Sequence, residues 1–170
     1  MNPTTTTPPA GGILSPELEE ERQQIIEMLT EAYWMEVETV VNYLAASINP
    51  DGVRAQEVIR SLAEDVQEEL GHARRFGERI KELYGVVPGS AAFRVDQPYL
   101  QPPGDQRDII AVIRGVIEAE TGAIEHYETI VAATDQTDPV TNDMVIEILH
   151  DEQRHRRLFE GFLREYAAES

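Results

Sequence analysis

The spacing of helix breakers leaves this chain few architectures to choose from. Asn49-Pro50-Asp51-Gly52 and residues 135–139 are short turn signals, whereas residues 86–104 carry Pro88, Pro98, Pro102 and Pro103 and cannot form a regular helix over that length. The stretches between these breakers repeat apolar residues at i, i+3, i+4 and i+7, and none alternates with the period of two that a strand needs. The predicted helices run from Ser15-Pro16-Glu17 to about Ser47, from about Val53 to Tyr84, from just after Gly104-Asp105 to about Thr134, and from just after Pro139 to about Ala168. Ser15 is expected to cap the first, with Pro16 at its first position, and Gly85 to stop the second. Helices of about 28 residues, rising 1.5 Å per residue, are each about 42 Å long. Connections that are short, long and short predict an all-α, four-helix bundle with a long crossover between the second and third helices. Residues 1–14, rich in Thr, Pro and Gly, are expected to be a disordered tail ahead of one domain over 15–170.

Composition narrows the chemistry. There is no cysteine, which removes disulfides, thiolate metal sites and cysteine nucleophiles, so any metal must rest on carboxylates and imidazoles. Acidic residues number 32 against 14 basic ones, and the net charge of -18 disfavours nucleic acid and anionic membranes as partners. No apolar run reaches the roughly 18 residues of a membrane span. The opening MNPTTTTPPAGG has neither the basic flank nor the apolar stretch of an export signal, so a cytoplasmic location is expected.

The informative residues are those that interrupt the apolar stripes. The second stripe reads Ile59, Leu62, Val66, Glu69, His72 or Ala73, Phe76 and Ile80, and the fourth reads Val145, Ile148, Glu152, His155, Phe159, Phe162 and Tyr166. Each therefore holds a Glu-x-x-His pair near its middle, and residues three apart on a helix can point a carboxylate oxygen and an imidazole nitrogen at one ion. The first stripe is broken by Glu36 and the third by Glu120, which precede the paired glutamates Glu69 and Glu152 by 33 and 32 positions. Four facing carboxylates in an apolar bundle are prohibitively costly unless compensated. No Arg or Lys falls on the stripes near them, whereas two divalent cations would balance their charge. Imidazole nitrogens among the ligands favour iron, manganese or zinc over calcium or magnesium.

Not every similar pattern belongs to this set. Glu147 and His150 repeat the Glu-x-x-His spacing on a different face of the fourth helix, beside Asp143 and Arg154, and are read as a solvated or interface pair. Glu38 and Glu118 are the nearest competitors for the single glutamates but point away from the stripes, and His126 lies off the third stripe.

With these residues in place the chain resembles the ferritin-like di-iron carboxylate superfamily over residues 16–168, most closely the bacterioferritins and Dps-like ferritins. The segment from Asn142 to His155 is similar to the last bundle helix of bacterioferritins, and Glu36 followed seven residues later by Tyr43 is similar to their first. The resemblance implies Glu36 and His72 on one iron, Glu120 and His155 on the other, Glu69 and Glu152 bridging, and Tyr43 close to the irons as a catalytic neighbour. It implies two iron ions, with manganese as the alternative, and a homo-oligomeric ferroxidase that oxidises Fe(II) with O2 or H2O2 for iron storage and detoxification. Haem is not expected, because Leu70 stands where haem-holding bacterioferritins carry Met. Two other readings start from the same residues. One is a di-metal peroxidase or oxidase that stores no iron, and the other is a metal-free helical interaction protein.

Overall fold

The computed structural model describes residues 11–168, and long helices dominate it: α1 (Glu19–Ala46), α2 (Gln56–Glu82), α3 (Ile109–Thr134) and α4 (Pro139–Ala168). No strand occurs among the described residues. α1 packs along α2, α3 packs along α4, and α1 also lies against α3. The amide of Asp51, just before α2, donates to the carbonyl of Gln106, just before α3, at 2.9 Å. Both helices therefore start at the same end, and residues 83–108 travel the length of the bundle to connect them. This is the all-α four-helix bundle with one long crossover that the breaker spacing predicts.

The helix ends differ in instructive ways. Ser15 is extended, its side chain caps nothing, and its Oγ is buried without a partner; a short 3-10 turn over Pro16–Leu18 leads into α1 instead. The expected disordered tail is corrected at its inner end. Ile13 is buried against the cluster that includes Ile25 and Leu29, and Arg22 Nη1 donates to the carbonyls of Ile13 and Ser15, both at 3.0 Å. One apolar side chain and two clamped carbonyls suffice to fix that segment, while residues 1–10 lie outside those described. At the end of α2, Tyr84 takes the left-handed conformation with φ 69°, and the amides of Tyr84 and Gly85 donate back to Lys81 (3.1 Å) and Ile80 (2.8 Å). Gly85 is required for a reason other than torsion: a Cβ there would sit 2.8 Å from Ile80 Cγ2 and 2.9 Å from its carbonyl oxygen.

The crossover is held by polar contacts. Glu38 is buried, and its two oxygens accept the amides of Asp96 and Gln97, both at 2.9 Å. Gln97 in turn donates to Thr39 Oγ1 at 2.9 Å and accepts from Asn42 Nδ2 at 3.2 Å. Glu38 does face away from the stripe, but that face lies under the crossover rather than in solvent. On α3 the crossover approaches so closely that a Cβ on Gly115 would meet the Tyr99 carbonyl oxygen at 2.4 Å.

A second polar lock joins α2 to α4. Asp138 caps α4 by accepting the Thr141 amide at 3.1 Å, and Arg79 Nη2 grips the same carboxylate at 2.8 and 3.0 Å. Arg79 Nε also donates to Thr141 Oγ1 at 2.8 Å, and all three residues are buried.

Two apolar clusters fill the bundle. One gathers Tyr43, Leu62, Val66, Val116 and Phe159; the other gathers Leu29, Phe76, Tyr127, Val145 and Ile148. Along every helix the passage from one cluster to the other falls at a glutamate.

Candidate metal centre

At the seam between the clusters the four helices present Glu36, Glu69, Glu120 and Glu152, together with His72 and His155, all at most 3% exposed. The stripes that bury Leu29 or Ile148 bury these residues for the same reason: they occupy the bundle-facing positions of their helices. His72 Nδ1 lies 2.9 Å from Glu152 Oε1, 3.1 Å from Glu69 Oε2 and 3.7 Å from Glu36 Oε1. His155 Nδ1 lies 3.3 Å from Glu69 Oε1, 3.7 Å from Glu152 Oε2 and 4.0 Å from Glu120 Oε1. These contacts define two half-sites, Glu36-Glu69-His72-Glu152 and Glu69-Glu120-Glu152-His155, in each of which one ligand atom per residue lies within 4.8 Å of the others. Glu69 and Glu152 belong to both.

Tyrosines anchor the unshared glutamates. Tyr43 donates to Glu120 Oε1 at 2.5 Å, and Tyr127 donates to Glu36 Oε1. Sequence reasoning singled out Tyr43 and missed Tyr127. The signal was present, because Tyr127 follows Glu120 by seven residues as Tyr43 follows Glu36. The off-stripe residues go elsewhere. Glu147 is exposed and takes Arg75 at 2.5 Å, His150 is exposed, and Glu118 is exposed. His126 Nε2 meets the Met28 carbonyl at 2.9 Å and joins neither half-site.

The donor set fits a pair of divalent transition-metal ions. Glu69 Oε1, Glu120 Oε2, Glu152 Oε1 and His155 Nδ1 are all buried without a hydrogen-bond partner. Each orphaned polar atom of this kind costs about 1–3 kcal/mol or more, a penalty that metal coordination removes. Carboxylates mixed with imidazoles suit iron, manganese or zinc.

Without metal, protons supply the missing positive charge. Burial, reinforced by the charges of Glu152 and Glu69, raises Glu36 well above the usual carboxylate range, and burial with the same neighbours raises Glu120. Burial opposes the charged form of both histidines, but the adjoining carboxylates of Glu152 and Glu69 outweigh it and push His72 up to about 10 and His155 up to about 12. Burial also works against ionised Glu152, yet the adjoining imidazoles of His155 and His72 hold it down to about 2.

The linkage has a definite sign. His72 and His155 are raised above their unfolded values, so their contribution to stability is full below about pH 6.5 and declines as pH rises toward 10 and 12. The Glu152 contribution is present above about pH 4.5 and is lost as pH falls toward 2. Metals compete with those protons. Chelator-treated protein should therefore melt at lower temperature at pH 8 than at pH 6, and Mn(II) should raise the melting temperature more at pH 8 than at pH 5. At a hundredfold excess over Kd, ligand binding contributes about 2.7 kcal/mol. Thermal melts with and without Mn(II) check this, and an equal increment at both pH values would show that metal displaces no protons here.

A four-helix bundle with one full-length crossover, and with two Glu-x-x-His pairs facing two single glutamates, defines a carboxylate-histidine bundle protein. The chain belongs to the ferritin-like domain family, which it matches over residues 26–168. Among curated proteins it is 29% identical, over 147 residues, to a DNA protection during starvation protein of Pyrococcus furiosus, covering 83% of this chain and 77% of that protein. It is 25% identical to a bacterioferritin of Desulfovibrio desulfuricans, covering 84% and 76%. Among solved structures, a dodecameric thioferritin from Bacteroides fragilis superposes with a TM-score of 0.75 at 23% identity, covering 91% of this chain and 96% of that one. The Desulfovibrio desulfuricans bacterioferritin does so with a TM-score of 0.75 at 22% identity, covering 88% and 84%. No helix among the described residues is long and apolar enough to cross a membrane.

Proposed function

We propose that this protein is a ferroxidase that oxidises Fe(II) with O2 or H2O2 and stores the product within a homo-oligomer. The observation that carries the reading is the pair of half-sites sharing Glu69 and Glu152, buried between two apolar clusters. The relatives named as a bacterioferritin and a starvation-protection protein, and the dodecameric thioferritin, support iron handling in an assembly. Glu36 and His72 would hold one Fe(II), Glu120 and His155 the other, with Glu69 and Glu152 between them. The two Fe(II) ions are substrate, and they supply the electrons that reduce the oxidant.

The chain supplies charge, orientation and dryness. Four carboxylates offset two divalent charges, and the protons on Glu36, Glu120, His72 and His155 must leave as the ions arrive. The Tyr43 and Tyr127 hydroxyls each bind one oxygen of an unshared glutamate and so fix how that carboxylate sits at its half-site. The flanking apolar clusters exclude bulk water from the electron transfer.

The test is aerobic addition of Fe(II) to metal-free protein at tens of ions per chain. Oxidation should outpace a protein-free control, and the recovered protein should carry iron far beyond two ions per chain. Fast oxidation with loading that stops at two would favour a di-metal redox enzyme without storage, and no metal uptake would favour an interaction protein.

A further inference from the structure

Both imidazoles turn Nδ1 toward the half-sites, which leaves Nε2 facing outward between α2 and α4. His155 Nε2 lies 3.1 Å from Glu68 Oε2 and 3.8 Å from Asp65 Oδ1, while His72 Nε2 lies 3.4 Å from Asp151 Oδ2. Glu68 and Asp151 are both about one-third exposed and come from different helices. One group spans them. Arg154 Nη2 donates to Glu68 Oε1, lies 3.5 Å from Asp151 Oδ1, and stands 3.5 Å from His155 Nε2.

We propose that Arg154 is a positioning residue for the metal centre: by bridging Glu68 and Asp151 it holds an acceptor behind each histidine and so presents both Nδ1 atoms to the ions. An imidazole whose outer N–H is donated to a carboxylate keeps its lone pair on the inner nitrogen, and outer partners of this kind commonly set metal affinity. Glu68 and Asp151 carry like charges and have access to water. Without the guanidinium between them, each gains by turning outward into solvent. His72 and His155 would then be free to rotate away from the half-sites. A single exposed arginine thereby acts on both half-sites, although it touches neither set of inner oxygens. The inference rests on the metal-centre reading above.

The same geometry offers a competing outcome. Asp65 Oδ2 is buried with no partner, and removing Arg154 leaves Asp65, Glu68 and Asp151 without that cation. If Arg154 served only to block a further cation site there, its loss would add an ion rather than weaken the first two.

Calorimetric titration of chelator-treated protein with Mn(II) separates the cases, using wild type, Arg154→Gln, Arg154→Lys and Glu69→Gln, with thermal melts of each metal-free form. Arg154→Gln should weaken Mn(II) binding about 10–100-fold, with stoichiometry still two per chain and a metal-free melting temperature close to wild type. Arg154→Lys, which keeps the charge, should recover most of the affinity. The d–d spectrum of Co(II)-loaded Arg154→Gln should differ from wild type, a change that a merely structural role would not produce. Unchanged affinity in Arg154→Gln, or a third ion in that variant, overturns the proposal. If Glu69→Gln alone loses metal, the metal-centre reading stands and the role of Arg154 falls; if wild type binds no metal, both fall.

Discussion

Glu69→Ala or Glu152→Ala should abolish rapid Fe(II) oxidation, each lowering the initial rate by more than about 100-fold, beyond the range usual for outer partners. Each of these carboxylates belongs to both half-sites, so on the proposed reading one substitution would remove a ligand from each ion and also the link between them. A shared loss of this kind leaves no intact half for the reaction to use. Glu147→Ala supplies the internal control. Glu147 has the same spacing to a histidine and sits in the same helix, but it is exposed and paired with Arg75, so its loss should leave the rate within about twofold, as expected of a surface pair. Stopped-flow absorbance under air reads all three variants. Comparable losses from Glu147→Ala and Glu152→Ala would mean that the chemistry runs on the other face of α4.

The second large effect is on stability and lies away from the metal centre. Arg79→Ala should destabilise the fold by about 3–5 kcal/mol, because it leaves the Asp138 carboxylate buried without its cation; Asp138→Ala should cost less, because Arg79 keeps Glu82 at 2.8 Å. For a chain of this size the larger loss corresponds to a melting temperature lower by roughly 6–20 °C. Asp138 is fully buried and Arg79 only 7% exposed, so water cannot take the place of the lost partner. Asp138 has a second duty as the cap of α4, which Ser can perform without charge. The double variant Arg79→Met, Asp138→Ser should therefore recover most of the loss suffered by either single alanine. Thermal melts of the metal-free proteins decide it. Single variants that melt within a degree or two of wild type would show that the pair is relaxed by solvent.

The bundle and the convergence of its six polar core residues were legible because both depend on helical periodicity. A glutamate at 36, 69, 120 or 152 occupies a position that the rest of its stripe marks as inward, and the structure brings all four together with His72 and His155. Tyr127 was equally legible as a core aromatic; its partner Glu36 was not, because no periodicity states which neighbour a hydroxyl will meet across a bundle. Glu38 shows the larger difficulty. Its helical angle correctly turned it away from the core, but the crossover that buries it has no repeat, so the face it covers cannot be inferred. Arg79 and Ile13 fall to the same cause. Arg79 is buried by a cap that begins at Asp138, beyond its own helix, and Ile13 by the cluster around Ile25 and Leu29, its segment held by two carbonyls clamped to Arg22.

The sharing of ligands divides the chain in an uneven way. The α1–α2 hairpin contributes Glu36, Glu69 and His72 to one half-site and receives Glu152; the α3–α4 hairpin contributes Glu120, Glu152 and His155 to the other and receives Glu69. The tyrosines repeat the exchange, Tyr43 reaching across to Glu120 and Tyr127 to Glu36. On the reading proposed above, an ion bound by one hairpin would have three of its four residues from that hairpin, and the fourth only when the other hairpin is docked in register. Metal capture would therefore also favour the one alignment of the two halves that closes both half-sites at once.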